Sequence, residues 1–419
     1  MKRKGMLLYT GSNSMLAAAT FLGSFVCARL LEPKELGAFQ TAQLLVTYLA
    51  FLPLGTFNGF NRQYPYLLGK GDSDAAIGLS QTGYTVSCIT AIVAAALSVG
   101  QLFLFWETGQ DSALILAAAA VIPVAVIGQL AAVQFAILTG RQAFGWIGRT
   151  QLVMVILTLA SLLFVWKFAV VGQCVRLVII AVATWLLYHL KTGEARHWRW
   201  DFDQIRQLVR IGAPIMVIGY TASIFSVADR TLVASVKGIQ AVGYYSLAGL
   251  TIAAIQSVYT PLAVAMYSKA NHAYGQSHRL AALVPPLNRF LILITATVVP
   301  LAAIIYFSLP VVVPWLLPKY VPGIAAARIA CIASVVFCYC GTAFVFNVTG
   351  HNRIYGIMMA CALGAFFLIG FCIPQSELTL ERVAWLRAVI SMVVCLLANS
   401  YLVFYLRRGI RTEGRSSRK

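Results

Sequence analysis

The chain has 419 residues, of which 60% are apolar and only 11% charged, and its mean hydropathy is +0.81. That composition excludes a soluble domain with a mixed-charge surface and makes a bilayer the natural solvent. The formal charge of +19, from 32 Lys and Arg against 13 Asp and Glu, does not indicate a nucleic-acid partner. The basic residues fall in short connections between apolar runs, where they orient the protein and meet anionic membrane lipids.

Lipid cannot hydrogen-bond the backbone, so spanning segments are helices or a closed barrel. Runs of about 20 apolar residues without strict alternation exclude the barrel. The chain begins MKRKGMLLYTGSNSM, a basic head followed by an apolar stretch that reaches residue 31 without a small-residue cleavage site. It reads as a retained first helix rather than a signal peptide. In chain order the hydropathy predicts spans at 6–31, 37–61, 76–104, 112–139, 149–166, 170–190, 211–236, 243–268, 284–308, 323–349, 354–374 and 382–406, which makes twelve.

The longest connection separates the sixth span from the seventh. In it, Trp198, Trp200, Phe202, Ile205, Leu208 and Val209 interleave with Arg199, Arg206 and Arg210, the pattern of an amphipathic helix lying at the inner interface. The predicted division is therefore an N-terminal six-helix lobe (1–190), a cytoplasmic amphipathic connector (191–210), a C-terminal six-helix lobe (211–406) and a basic cytoplasmic tail (407–419). With the N-terminus inside, the inner segments hold 21 Lys and Arg and the outer loops 5, while the acids split six and six. The asymmetry belongs to Lys and Arg alone, which places both termini in the cytoplasm.

The nine cysteines lie in or at the edge of apolar runs and form no CxxC, so they read as inert core thiols. The five histidines form no ligand-type cluster, and no metal or other cofactor is expected. Six spans in each half give both halves the same orientation, so any duplication is a parallel repeat. A trace of one lies in ARLLEPKELGAFQTAQLL between spans one and two and DRTLVASVKGIQAVGYYSLAGL between spans seven and eight. Each has an Arg, a short polar loop and a Gly followed closely by an aromatic residue.

At these residues the chain resembles the Wzx-type O-antigen and exopolysaccharide flippases of the multidrug/oligosaccharidyl-lipid/polysaccharide (MOP) exporter superfamily. The resemblance is carried by ARLLEPKELGAF, FDQIRQLVRIGAPIMV, DRTLVASVKGIQAVGYYSLA, PLAVAMYSKA and LPKYVPGIAAARIACIAS, in that order. It implies an all-α polytopic membrane protein, with about twelve transmembrane helices in two six-helix lobes that form a MATE-like V around a central cavity. It also implies a polyprenyl-pyrophosphate-linked glycan as cargo in a bacterial cell inner membrane, with polysaccharide assembly proteins as candidate partners. Glu32-Pro33 stands where the family more often has Gly-Pro, a departure that touches the cargo more than the fold.

An anionic headgroup crossing a low-dielectric slab needs fixed cations, and Arg suits phosphate better than Lys because its planar fork binds bidentately. Six arginines fall inside spans: Arg29, Arg176, Arg230, Arg289, Arg328 and Arg387. All six are candidate cavity cations. The bland alternative, strongest for Arg29, Arg289 and Arg328, is snorkelling to headgroups from a span end. Asp229 is the only acid in any span and is a candidate for H⁺ or Na⁺ coupling. The alternative is a structural role in which Asp229 or Arg230 pairs across to another helix. Uncharged polar residues such as Asn13, Gln134 and Gln151 read mainly as interhelical packing contacts.

Two other readings compete with flipping. A multidrug exporter of the same superfamily would place acids in its cavity to take cationic drugs, against one acid and six arginines here. A membrane glycosyltransferase or polymerase would need a catalytic outer loop, and the longest, 309–322, has no acid or other catalytic base. The protein is therefore expected to be a transporter and not an enzyme.

Overall fold

A computed structural model describes residues 3–193, 197–277 and 279–416. Connector residues 194–196 and basic residues Lys2, Arg418 and Lys419, which enter the charge count above, lie outside them. Thirteen α-helices follow one another and no strand occurs among the described residues. They are α1 (Arg3–Leu30), α2 (Pro33–Leu49), α3 (Thr56–Lys70), α4 (Ser73–Glu107), α5 (Ser112–Gly140), α6 (Phe144–Ala160), α7 (Leu162–His189), α8 (Phe202–Ser277), α9 (Val284–Leu316), α10 (Ile324–Tyr339), α11 (Phe344–Thr349), α12 (Asn352–Cys372) and α13 (Leu380–Ser416).

The surface is inverted relative to a soluble protein. Ile92, Phe103, Trp106, Ile304, Val311 and Trp315 are exposed, while Ser80, Thr82, Ser87 and Ser98 are buried. Apolar residues outside and hydroxyls inside are what a hydrocarbon solvent selects, because a hydroxyl facing lipid has no partner. The chain is a multi-pass integral membrane protein. Nine helical stretches among the described residues are long and apolar enough to cross a membrane. Twelve crossings result when one of them is divided at a break, α6 is joined to the first turns of α7, and the 17-residue α2 is counted alongside them. Gly238, at φ 78°, divides α8 into spans seven and eight, and Ala169, at φ 46°, divides α7 so that its first turns complete span five. At both places the chain reverses without a loop. Gly172, at the start of span six, lies so close to span five that a Cβ there would run into the Phe164 carbonyl.

Three predicted spans are not continuous helices, the fifth, expected over 149–166, being interrupted at Ser161 between α6 and α7. The second, expected over 37–61, breaks at residues 50–55, where Leu54 and Gly55 in succession have positive φ (48° and 85°). Pro53 has no N–H to continue the helix, and the Pro53 carbonyl instead accepts from Thr56 Oγ1 at 2.7 Å. The tenth, expected over 323–349, narrows to a 3₁₀ turn over Cys340–Ala343 between α10 and α11.

The connector also differs from expectation. Residues 197–201 are not helical, and the helix that begins at Phe202 continues through residue 210 into the seventh span. No separate interfacial helix exists there among the described residues. Asp201 ends the non-helical stretch by accepting the Gln204 amide at 3.0 Å, an N-terminal cap. The Arg199 amide donates to Thr85 Oγ1 at 3.0 Å, and Thr82 Oγ1 donates to Gln204 Oε1 at 3.0 Å, which ties the segment to α4.

The chain divides into two compact units, Met1–Ile224 and Phe225–Lys419. In the first, α4 packs along α5, α5 against α2 and α7, and α1 along α6. Lys34 pairs with Asp111, whose carboxylate also caps α5 by accepting the Ala113 amide at 3.0 Å. The Lys34 ammonium and this cap hold the Asp111 carboxyl below its usual range. In the second unit α10 lies between α9 and α13, and α13 also contacts α12.

The first unit includes the start of α8 because glycines allow backbone contact there. A Cβ on Gly212 would run into the Gly55 carbonyl and Gly59 amide, and one on Gly59 would run into the Leu208 carbonyl. Gly219, seven residues on, has nothing within 4 Å of such a Cβ. Ala is the better helix former by about 1 kcal/mol, but backbone overlap costs about 1–3 kcal/mol or more and wins where neither partner can move. Gly212→Ala should therefore lower the melting temperature of the detergent-purified protein while Gly219→Ala leaves it unchanged or raises it. Equal melting of the two variants would dismiss the close-contact account.

Candidate functional site

Span seven carries Asp229 and Arg230 side by side, and the helix points them about 100° apart, so they address different neighbours. Asp229 is 1% exposed. Its carboxylate forms an ion pair with Arg387 of α13 and accepts the Tyr245 hydroxyl at 2.9 Å and the Arg230 amide at 2.9 Å. Arg387 also donates to the Ser226 carbonyl at 3.3 Å, and its guanidinium lies 6.0 Å from the Phe225 ring centroid. The carboxylate thus joins spans seven, eight and twelve.

Arg230 takes a different route. Its guanidinium lies over Gly249, where a Cβ would meet Cζ at 3.0 Å. Tyr245 and Gly249 are four residues apart and so share one face of span eight. That face offers a hydroxyl to Asp229 and an empty position to Arg230. No carboxylate pairs with Arg230 among the described residues, so the cluster of Asp229, Arg387 and Arg230 carries a net charge of +1.

In the first unit Arg176 is 8% exposed on span six. Its Nη1 donates to Gln173 Oε1 at 3.2 Å and lies 3.7 Å from the Cys27 sulfur, while the Cys27 thiol itself donates to Gln173 Oε1 at 3.1 Å. Nη2 fills the space above Gly23, where a Cβ would come within 2.7 Å, and Nε has no hydrogen-bond partner. Arg176 too has no acidic partner among the described residues. A buried guanidinium matched only by a carbonyl oxygen and a thiol retains its positive field.

The other predicted cations are placed differently. Arg328 is half-buried, with its guanidinium 4.1 Å from the Tyr306 ring centroid, a cation–π contact, and an unpartnered Nε. Arg29 and Arg289 are exposed. Among the six, then, Arg230 and Arg387 share one cluster, while Arg176 occupies a second in the other unit. Sequence reasoning missed the partners Tyr245, Gln173 and Cys27 and the glycines at positions 23 and 249. The four-residue spacing of Tyr245 and Gly249 within YYSLAG is the signal that could have pointed to span eight.

Several intramembrane amides are engaged in packing. Ser12 donates to Gln151 Oε1 at 2.8 Å and Gln151 Nε2 to Asn13 Oδ1 at 3.1 Å, which joins α1 to α6, and Gln129 Nε2 donates to the Leu49 carbonyl at 3.0 Å. All nine cysteines are free thiols. No group of three or more His, Cys, Asp or Glu is placed to hold a metal ion among the described residues.

Residues 26–320 match the family described as Polysaccharide biosynthesis protein. No curated protein matches. Among solved structures, the chain is similar to a multidrug resistance MATE family transporter of the MOP superfamily in its inward-facing conformation (17% identity, 94% of this chain and 96% of that one, TM-score 0.74). Similarity extends to the outward-facing conformation of such a transporter (16% identity, 96% and 94%, TM-score 0.64). It extends also to a MOP superfamily transporter from Pyrococcus furiosus, in which reverse polarity of the binding pocket suggests a different function (16% identity, 96% of each chain, TM-score 0.65). The chain belongs to the polysaccharide biosynthesis protein family, and its fold is that of the MOP superfamily transporters.

Proposed function

We propose that this protein is a flippase that moves a polyprenyl-pyrophosphate-linked oligosaccharide from the inner to the outer leaflet of a bacterial inner membrane by alternating access. The observation that carries the reading is the pair of guanidiniums within the spans, the buried Arg176 and the half-buried Arg230, that no carboxylate matches among the described residues. Membership in a polysaccharide biosynthesis family supports a cargo of this class. Pyrophosphate is the part of such a cargo that needs fixed cations inside a low-dielectric slab, and unmatched guanidiniums supply them without first releasing an internal partner.

The multidrug reading loses support in the same geometry. Asp229 is the only acid within the spans, and its oxygens already accept from Arg387, Tyr245 and the Arg230 amide. A cationic drug would have to displace Arg387. The reverse polarity reported for the Pyrococcus transporter shows that one fold can be associated with different pocket charge. Both termini lie in the cytoplasm in this reading, as the Lys and Arg distribution supports. The saturation of Asp229 favours a structural role for it over ion coupling.

Three outcomes test these statements. Deleting the gene should leave polyprenyl-linked repeat units on the cytoplasmic leaflet, and unchanged surface polysaccharide would count heavily against flipping. Arg176→Ala and Arg230→Ala should each lower export by about ten-fold or more, the loss of one charge-assisted contact, with the amount of protein in the membrane unchanged. Wild-type export in both would remove the cationic site. Asp229→Asn and Arg387→Met should each destabilise the second unit by about 3–5 kcal/mol because each strands a buried charge or its partners, and the double variant should lose less than the sum. Additive losses in thermal melts would dissolve the pair. A stable Asp229→Asn protein whose transport in vesicles no longer responds to an H⁺ or Na⁺ gradient would assign coupling instead.

A further inference from the structure

The end of α13 carries more than a basic tail. Asn399, Arg407 and Arg411 recur at multiples of four residues, and Ser400, Phe404 and Arg408 follow one position later, so the six form two adjoining rows along the helix. Together with Val403 they line a concavity of about 900 Å³. Basic residues that only orient a span need not share a face. Here the arginines continue, turn by turn, the face on which a polar amide and a hydroxyl sit within the apolar part of the helix.

The floor of this concavity is fixed. Asn399 Oδ1 accepts from Thr342 Oγ1 at 2.8 Å and its Nδ2 donates to the Cys395 carbonyl at 2.9 Å, which fastens α13 to the 3₁₀ turn of span ten. On the adjoining strip of α13, Tyr401 and Tyr405 stack at 6.5 Å, and Tyr405 packs against the His351 ring at 4.8 Å. The helix that bears the arginines is therefore held from two sides. Arg407 and Arg411 are exposed, four residues apart, and repel one another, a spacing that costs the helix a few tenths of a kcal/mol and favours an anion between them. Helical residues four apart, as these are, have Cβ atoms about 5–6 Å apart, close enough for two guanidinium forks to take adjacent phosphates of one diphosphate.

We infer that this face of α13 is a binding site for a lipid diphosphate, with Arg407 and Arg411 on the phosphate oxygens, and Phe404 and Val403 along the first carbons of the isoprenoid. It rests on the proposed cargo and adds where the headgroup is first held. It is separate from Arg176 and Arg230, which lie within the spans. Anionic phospholipid headgroups share the phosphate chemistry but offer a single phosphodiester charge, so two forks distinguish the two sources.

The test uses the full chain in nanodiscs of phosphatidylcholine, titrated with geranylgeranyl diphosphate, geranylgeranyl monophosphate and phosphatidylglycerol, with binding read by tryptophan fluorescence. The expected result is diphosphate binding roughly ten-fold tighter than monophosphate and little competition from phosphatidylglycerol. Arg407→Gln/Arg411→Gln should weaken diphosphate binding by at least about ten-fold, while Arg418→Gln/Lys419→Gln, with the same loss of charge, stays within about two-fold of wild type. Monodisperse elution of each variant establishes folding. Unchanged diphosphate binding in Arg407→Gln/Arg411→Gln would overturn the site and leave the proposed cargo standing. Equal weakening by both double variants, or full competition by phosphatidylglycerol, would reduce the site to a general headgroup contact and overturn it. A wild-type protein that binds no isoprenyl diphosphate would bring down the cargo reading as well.

Discussion

A guanidinium inside a helix bundle whose outer surface faces hydrocarbon has nowhere to put its charge except on other groups of the protein or on something it carries. Moving such an ion from water to a medium of low dielectric costs several kcal/mol even after relaxation, and this cost shapes both units. In the second, Arg387 is discharged against Asp229, and the pair draws Tyr245 of span eight into the same contact. In the first, Arg176 is met by an amide oxygen and a thiol. The two solutions have different consequences. The ion pair is a closed structure that gains little from an added anion. Arg176 has a donor left over, and that is the condition under which an anionic group can bind without breaking a bond already made.

The glycines of the spans belong to the same logic. Gly23 and Gly249 provide the volume in which Arg176 and Arg230 lie, so that a flat, wide head can sit between helices packed at ordinary distance. A methyl group at either position would move the cation, and moving a cation by an ångström in a medium of low dielectric alters its field more than the loss of packing alone would. The charge and the small residue opposite it form one unit, although they are far apart in the chain.

Much of this was legible in the sequence, because lipid imposes strong rules. Twelve spans, their approximate limits and the class of fold follow from hydropathy and the backbone's need for internal hydrogen bonds. The break of span two at Leu54 and Gly55 was not, since Pro53 is also compatible with a kinked but continuous helix and hydropathy is blind to the sign of φ. Asp229 was found as the sole intramembrane acid, but its partner was not. Arg387 lies 158 residues away, and composition alone does not choose it from the other intramembrane arginines. The amphipathic pattern of 198–210 was real, yet it describes a helix that runs straight on from Phe202. Its apolar residue Leu208 meets Gly59 of α3 rather than lipid.

That last contact bears on how the chain is made. A membrane protein emerges from its N-terminus, and its early helices search for partners before the later ones exist. The first unit runs to Ile224, so the glycine surface of residues 55–59 stays uncovered while four further helices are synthesised. Leu208 and Gly212, which cover it, are produced only after the sixth span and the connector. Completion of the N-terminal half is thereby delayed until the C-terminal half has begun, and the long helix α8 commits both to a single order of assembly.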